Sequence, residues 1–213
     1  MNFKFKKYWR KTSLKKSRDG DFLLSHIFSH KPKNFLEIGV FHGVTSRNVC
    51  ELLYSMHGSN FKFTGVDLFE NDKKKLNDEI APQTKFSNPL KNIYYKFIIK
   101  SDPYSYDSVN KLLIKFKNNI NIIKGNSNHV LKEININQFD YVFLDGGHSY
   151  ETVKNDLKCL ANVIKQKGTI LCDDYNLTYA PGIKKAIDEY ILDNNFNLKI
   201  LLDRFAEITN KYQ

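Results

Sequence analysis

The sequence has few of the features that are typical of disulfide-bonded, membrane-spanning or secreted proteins. Its 213 residues include only three cysteines, Cys50, Cys159 and Cys172, which stand far apart and without the spacing of a metal site. Such cysteines are typical of small core residues in a reducing compartment, which disfavours a disulfide-based fold. No apolar run reaches the roughly 18 residues that a membrane-spanning helix needs, and the N-terminus lacks the apolar segment of a secretory signal. We therefore expect a cytoplasmic protein without a transmembrane segment.

Acidic residues are absent from the first 18 positions, which hold eight lysines and arginines. The whole chain carries a net charge of +10, so the part beyond these positions carries only +2. We interpret residues 1–20 as a basic N-terminal arm that precedes one domain at 21–213. The simplest interpretation of this arm is a solvated, partly disordered tail. A basic arm can also contact nucleic acid, anionic lipid or an acidic glycan.

Strand and helix patterns alternate along the rest of the chain. Two short strands at 198–203 and 205–209 must be antiparallel, because the turn between them is too short for a crossover. The order predicts an α/β fold with a doubly wound, mostly parallel sheet and an antiparallel C-terminal strand. A long polar connection at about 70–104 is expected to cover a binding site as a lid. The buried strands are predicted at 34–40, 61–69, 120–125, 139–145 and 168–174.

Polar residues and glycines gather where the parallel strands end, which is where open α/β sheets bind ligands. The first loop, EIGVFHG, lets the backbone approach a ligand but lacks the G-x-G-x-x-G pattern that holds a pyrophosphate. Asp67, at the end of the second strand, can accept hydrogen bonds from two ribose hydroxyls. These features favour a nucleoside ligand without phosphates. The other strand-end groups are Glu37 with Gly39 and Gly43, Asn126 with Ser127, Asp145 to His148, and Asp173 with Asp174.

Six segments resemble, in order, the motifs of class I S-adenosylmethionine-dependent methyltransferases: FLEIGVFHGVTS, GVDLF, IIKGNS, FDYVFLDGGHSYETVKNDL, KGTILCDDY and PGIKKAIDEY. The resemblance covers about residues 34–209. Its DGGHSYE block is similar to the group that includes small-molecule and sugar O-methyltransferases, and more remotely to catechol O-methyltransferase. The resemblance implies a Rossmann-like methyltransferase sheet and S-adenosylmethionine as cofactor. The cofactor-binding residues that it implies are Glu37, Gly39, Val40, Phe41, Gly43, Asp67, Leu68, Asn126, Ser127 and Asp145.

The resemblance also implies a metal site. In catechol O-methyltransferase-like enzymes an acid after the fourth strand and an Asp-Asn pair after the fifth hold a divalent metal, and a lysine near the first acid is the base. The matching metal ligands here are Asp145, Asp173 and Asp174, so an acid replaces the asparagine. Three converging carboxylates would repel one another without a cation, and their oxygens suit Mg²⁺, Mn²⁺ or Ca²⁺. His148 replaces the lysine, and with Asp145 it is the expected catalytic residue.

Three functions remain open from the sequence. The leading one is a metal-assisted methyl transfer to a hydroxyl of a small molecule or sugar. The second is an RNA or DNA methyltransferase that uses the basic arm, although the fourth strand ends in Asp-Gly-Gly-His and lacks the Asn/Asp-Pro-Pro-aromatic signature of many amine methyltransferases. The third is a cofactor-binding module without catalysis, since a fold does not determine a function. The expected partner is a small acceptor; nucleic acid is not favoured, and a homodimer stays open.

Overall fold

The computed structural model describes residues 4–70 and 82–212. Seven strands form one sheet in the order β3-β2-β1-β4-β5-β7-β6. Strands β1 to β5 pair in parallel, whereas β7 is antiparallel to both β5 and β6. The predicted sheet with its antiparallel C-terminal strand is thus confirmed. The strands are β1 Asn34–Ile38, β2 Lys62–Asp67, β3 Ile120–Lys124, β4 Tyr141–Leu144, β5 Thr169–Cys172, β6 Asn197–Leu201 and β7 Phe205–Thr209.

Helices cover both faces of the sheet. None of the helices in the described part of the chain is both long and apolar enough to span a membrane. Helix α3 continues as a π-helical segment, Tyr94–Ile99. The helices are α1 Ser17–His30, α2 Val44–His57, α3 Pro89–Ile93, α4 Tyr106–Leu112, α5 Ser127–Glu133, α6 Tyr150–Lys165 and α7 Pro181–Asn194.

The strand β4 shows why the sheet is buried on both sides. Its four residues are all apolar or aromatic and all buried. Val142 and Leu144 pack into the hydrophobic cluster beneath α5, α6 and α7, whereas Tyr141 and Phe143 pack into the cluster beneath α1, α2 and α4. Successive side chains of a strand point to opposite faces, so an uninterrupted apolar run is typical of a central parallel strand. Only the ends of such a strand can offer polar groups to a ligand.

The N-terminal segment is packed structure in its described part, and the interpretation of it as a solvated arm is wrong. Phe5 and Leu14 are both buried in the cluster beneath α1, α2 and α4, and Leu14 has no exposed surface. Helix α1 begins at Ser17, so the predicted boundary at residue 20 falls inside a helix. Two apolar side chains nine positions apart make no periodic pattern, which is why the sequence did not indicate this packing.

Arg10 fastens the same segment to the body of the protein. Its guanidinium donates hydrogen bonds to the backbone oxygens of His42, Pro103 and Ser108 at 3.0–3.1 Å. It also donates to the Ser108 hydroxyl at 2.8 Å. His42 belongs to the loop after β1, and Ser108 lies in α4. One basic residue of the segment therefore holds the first loop and the end of the 70–104 connection together.

The connection at 70–104 is described from residue 82 onward, and residues 71–81 lie outside the described residues. Pro82, Gln83 and Tyr104 line a cleft at the carboxyl edge of the sheet. Lys11 of the N-terminal segment donates a hydrogen bond to the backbone oxygen of Lys85 at 2.7 Å. The described part of the connection thus borders the cleft, and its action as a lid stays a prediction.

Candidate active site

The loops that follow β1, β4 and β5 are joined by backbone hydrogen bonds that extend the ladder of the sheet. The amide of Asp145 donates to the carbonyl of Ile38 at 2.8 Å, and the amide of Asp173 donates to that of Leu144 at 2.9 Å. These bonds hold the first residue beyond each strand beside its neighbour. The polar groups predicted at the strand ends are therefore adjacent to one another across the sheet edge.

A cleft of about 1310 Å³ opens at this edge. Small-molecule sites usually measure roughly 300–1,000 Å³, so the cleft has room for a cofactor and an acceptor side by side. Four predicted site residues do not line it: Glu37, Val40, Gly43 and Asp173. The predicted residues that line it are Gly39, Phe41, Asp67, Leu68, Asn126, Ser127, Asp145, His148 and Asp174.

Glycine is required in the first loop by a close approach of two chain segments. Gly39 has a φ of +95°, which side-chain-bearing residues rarely adopt. A Cβ atom at this position would lie 2.0 Å from the backbone oxygen of Asp145. The loop after β1 and the loop after β4 therefore touch through backbone atoms, which keeps Asp145 beside the glycine loop.

Asp67 is held at the cleft wall by the protein's own donors. Its carboxylate accepts hydrogen bonds from the amides of Phe41 at 2.8 Å and Phe69 at 2.7 Å, and from the Tyr104 hydroxyl at 3.0 Å. Burial raises the pKa of Asp67, and the two amide hydrogen bonds oppose that effect. A ribose that used Asp67 would meet the Tyr104 hydroxyl at the same carboxylate, so Tyr104 lies at the candidate site through a contact that no sequence motif indicated.

Glu37 lies behind the glycine loop as a buried carboxyl group. The Ser46 hydroxyl donates to its Oε2, while its Oε1 has no hydrogen-bond partner within 4–70 and 82–212. Burial raises the pKa of Glu37 from 4.5 to about 8; the bond from Ser46 opposes this rise, and the charge of Asp67 adds to it. An unpartnered buried acceptor beside a ligand-facing loop fits a site that a hydrogen-bond donor of the ligand completes.

The three predicted metal ligands converge. Asp145, Asp173 and Asp174 each place a carboxylate oxygen within 4.8 Å of the others. Burial raises the pKa of Asp145, and the charges of Asp173 and Asp174 raise it further. Burial also raises the pKa of Asp173. The site therefore favours either protonation of a carboxyl group or the presence of a cation.

Arg204 is a member of this cluster that the sequence did not reveal. Its Nη2 donates to Asp173 at 2.7 Å, its Nη1 lies 3.1 Å from Asp19, and it lies 3.4 Å from Asp174. One guanidinium group thus faces four carboxyl groups when Asp145 is included, so negative charge is in excess whenever more than one of the four is ionised. These hard oxygen donors fit a divalent cation of the Mg²⁺ type. Arg204 lies in the turn between β6 and β7, where no local motif marks it.

His148 lies at the cleft next to the acidic cluster. Its Nε2 is 3.4 Å from the Asp174 carboxylate. Ser149, and not His148, is the N-cap of α6, since its side chain accepts from the amide of Thr152. Capping therefore does not account for the histidine.

Asp174 has a φ of +58°, a left-handed conformation that aspartate tolerates better than most residues.

Ser13 reaches the same cluster from the N-terminal segment. Its hydroxyl donates a hydrogen bond of 2.7 Å to Asp145 Oδ2. Lys15, Lys16 and Arg18 of that segment also line the cleft. The segment that was expected to be a separate arm is therefore one wall of the site.

A family model described as a methyltransferase domain matches residues 36–175. The chain belongs to this methyltransferase family. The matched region runs from β1 through β5 to Tyr175, and it contains every predicted site residue. The chain is therefore a class I S-adenosylmethionine-dependent methyltransferase, as its motifs predicted.

Solved structures share the fold of this methyltransferase at low sequence identity. The S-adenosylhomocysteine-bound methyltransferase PaMTH1 of Podospora anserina is 16% identical, with a TM-score of 0.60, over 93% of this chain and 80% of that one. The O-methyltransferase NovP is 17% identical, with a TM-score of 0.58, over 91% and 78%. CalS11, a TDP-rhamnose 3′-O-methyltransferase of calicheamicin biosynthesis, is 16% identical, with a TM-score of 0.59, over 90% and 79%. A comparison with curated protein sequences finds no match.

Proposed function

We propose that this methyltransferase transfers the methyl group of S-adenosylmethionine to a hydroxyl group of a small molecule or sugar, with the assistance of a divalent cation. The proposal rests on one observation above all. Asp145, Asp174 and His148 converge at a cleft whose wall also carries Asp67 and Gly39. The same cleft thus offers a nucleoside-binding part and a proton-accepting part.

The cofactor would occupy the part of the cleft formed by the loops after β1, β2 and β3. When bound, it supplies an electrophilic methyl group on a sulfonium. Asp67 would accept hydrogen bonds from the ribose hydroxyls, and Gly39 with Phe41 would offer backbone to the ligand. Asn126 and Ser127, at the start of α5, would border the adenine.

The acceptor would lie beside His148. An alcohol is a weak nucleophile until its proton is removed, so the site needs a base near the oxygen. His148 would take this proton, and Asp174, 3.4 Å away, would stabilise the charged imidazole. Asp145 and Asp174 would be the cleft-facing ligands for a cation. Asp173, whose two carboxylate oxygens both accept hydrogen bonds from Arg204, would complete the set from behind them. The cation would supply positive charge beside the acceptor oxygen.

The fold relatives support oxygen as the methylated atom. NovP is described as an O-methyltransferase, and CalS11 is described as a TDP-rhamnose 3′-O-methyltransferase. Because their sequence identity to this chain is below 20%, they support this chemistry only together with the residues of the cleft. A cytoplasmic location and a homodimer stay predictions.

The basic wall narrows the choice of acceptor. Lys15, Lys16 and Arg18 line the cleft from one side, and no acidic residue occurs before Asp19 in the sequence. Asp19 is itself paired with Arg204. Because acidic residues such as Glu151 and Asp203 line the rest of the cleft, a preference for negative charge would apply to the part of the acceptor that lies against Lys15, Lys16 and Arg18. A phosphate or carboxylate group would be favoured there. Because nucleic acid is also negatively charged, the same basic residues support a nucleic-acid acceptor as the second candidate.

A methyl-transfer screen with purified protein tests the proposal. Calorimetry should show binding of S-adenosylmethionine, and mass spectrometry should show that a hydroxyl-bearing acceptor gains one methyl group. Binding of NADH without binding of S-adenosylmethionine would overturn the cofactor assignment. A methylated RNA product, with an activity that falls steeply as salt rises, would favour the second candidate. Tight cofactor binding without turnover on any acceptor class would favour a module without catalysis.

A further inference from the structure

A second group of potential metal ligands lies away from the cleft. His26 and His30 occupy neighbouring turns of α1, and Glu207 lies on β7. Glu207 Oε1 is 2.9 Å from His26 Nε2 and 3.4 Å from His30 Nε2. The three ligand atoms all lie within 4.8 Å of one another. The spacing of four residues on a helix places both imidazoles on one face, which is what a shared ligand requires.

The second nitrogen of each imidazole is already engaged. His30 Nδ1 lies 2.8 Å from the backbone oxygen of His26, to which it can only donate. His26 Nδ1 lies 2.7 Å from the Tyr141 hydroxyl. Histidines that bind metals usually have this arrangement, in which the other ring nitrogen is bonded to a carbonyl or a polar side chain that sets the ring orientation. The Nε2 atoms of both rings therefore face the carboxylate.

This group is separate from the acidic cluster. Tyr141, which contacts His26, is the first residue of β4, whereas Asp145 follows the last residue of that strand. The histidine pair thus lies nearer the amino end of β4, whereas the acidic cluster lies beyond its carboxyl end. The ligand side chains are only partly accessible, with 9%, 29% and 13% of the surfaces of His26, His30 and Glu207 exposed. Partial burial reduces the competition from water without closing the route of entry for an ion.

We propose that His26, His30 and Glu207 bind a Zn²⁺ ion. Two imidazole nitrogens and one carboxylate oxygen suit a borderline metal such as zinc, whereas the all-oxygen cluster at Asp145 suits Mg²⁺. Three protein ligands leave one position of a tetrahedral shell for water. Because the ligands come from α1 and β7, the ion ties the helix that follows the N-terminal segment to the antiparallel end of the sheet.

The competing interpretation is a hydrogen-bonded pair of histidines that share one carboxylate without metal. A metal titration separates the two. Full-length protein stripped of metal is titrated with Zn²⁺ against a chromophoric chelator, and with Co²⁺ while its visible absorption is recorded. We expect one equivalent of Zn²⁺ at this site and the absorption of four-coordinate Co²⁺. His30→Gln and Glu207→Gln should each weaken Zn²⁺ binding more than tenfold.

Two controls make the result specific. His57 ends α2 as His30 ends α1, so His57→Gln is a matched variant that should leave Zn²⁺ affinity unchanged. Asp145→Asn should also leave it unchanged, because that residue belongs to the other cluster. The increase in melting temperature that Zn²⁺ causes should be present in the wild type and both controls and lost in His30→Gln. Absence of stoichiometric Zn²⁺ binding by the wild type, or binding that only Asp145→Asn removes, would overturn the proposal.

Discussion

The hydroxyl of Ser13 donates a 2.7 Å hydrogen bond to the carboxylate of Asp145, across 132 positions of the chain. Asp145 follows the central strand β4, and Ser13 belongs to the basic N-terminal segment. The contact therefore places that segment on the proposed catalytic cluster. A substitution that weakens the packing of the N-terminal segment should therefore also disturb the position of Asp145 in the cleft.

Replacement of Leu14 tests whether the segment is part of the folded domain. Leu14 is fully buried, so Leu14→Ala should lower the free energy of unfolding by about 2–5 kcal/mol through lost burial and the cavity that remains. Leu192→Ala is the matched control, because Leu192 is 82% exposed and its loss should change stability by no more than about 0.5 kcal/mol. Urea unfolding followed by circular dichroism measures both. Equal free energies of unfolding for the two variants would indicate that the segment is a solvated arm after all.

The contrast between the strands and the N-terminal segment shows what the sequence could predict. The strand β4 is a continuous apolar run followed by Asp145, and such a run predicts both a buried strand and a ligand-facing residue at its end. The packing of Phe5 and Leu14 depends on single contacts with distant elements, and no local period indicates it. The same holds for Arg204, which joins the acidic cluster from the far end of the chain. Long-range partners of isolated residues are set by the tertiary structure alone.

Asp67 allows a direct test of cofactor binding. Asp67→Asn keeps the shape of the side chain but removes its charge, and a charged hydrogen bond contributes roughly 1.5–3 kcal/mol. We therefore expect a loss of S-adenosylmethionine affinity of about tenfold or more, measured by calorimetry. Asp193→Asn, on the exposed end of α7, serves as the control. Unchanged affinity in a folded Asp67→Asn protein would remove Asp67 from the cofactor site.

Tyr104 allows a test of how the Asp67 carboxylate is shared between the protein and the ribose. Its hydroxyl lies 3.0 Å from Asp67 Oδ1, so a ribose must either replace this bond or join it. Tyr104→Phe should leave the fold intact, and its effect on affinity shows which of the two occurs. Tighter binding would mean that the hydroxyl competes with the ribose, whereas weaker binding would mean that it orients the carboxylate for it.

The buried Glu37 predicts a pH dependence of stability. Its pKa is about 8 in the folded protein against an ordinary value of 4.5, so the folded state binds this proton more tightly than the unfolded state. The resulting contribution to stability is fully present below pH 4.5 and is lost as the pH rises through 8. The decline should approach about 1.4 kcal/mol per pH unit between these values.

Glu37→Gln should make the decline shallower by this amount, because the amide resembles the protonated acid and does not titrate. The buried Asp67, Asp145 and Asp173, whose pKa values are also raised, keep their own share of the decline. Urea unfolding of the cofactor-free protein between about pH 5 and pH 8 measures the difference between wild type and variant. Glu133→Gln, at the exposed end of α5, should follow the wild-type profile. A parallel decline in Glu37→Gln and the wild type would show that Glu37 is ionised in the fold.

The acidic cluster gives the strongest test of the proposed chemistry. If Asp145, Asp173 and Asp174 hold a divalent cation, a chelator should abolish methyl transfer and leave the binding of S-adenosylmethionine largely unchanged, because the cation would act on the acceptor side. Asp145→Asn should behave like chelation. Since a chelator would also strip the proposed zinc site, His30→Gln is the control: its activity should remain sensitive to chelator and be restored by Mg²⁺.

His148→Ala should differ from both in its dependence on pH. Loss of a positioned base usually lowers turnover by about 10²–10⁴-fold, and part of the deficit should be recovered at higher pH, where more of the acceptor hydroxyl is ionised without help. The pH profile of turnover in saturating cofactor measures this recovery. Full activity in excess chelator would reject the cation and leave His148 with Asp174 as an acid–base pair. Full activity of His148→Ala would instead mean that another group removes the proton from the substrate hydroxyl. His148 would then only line the cleft.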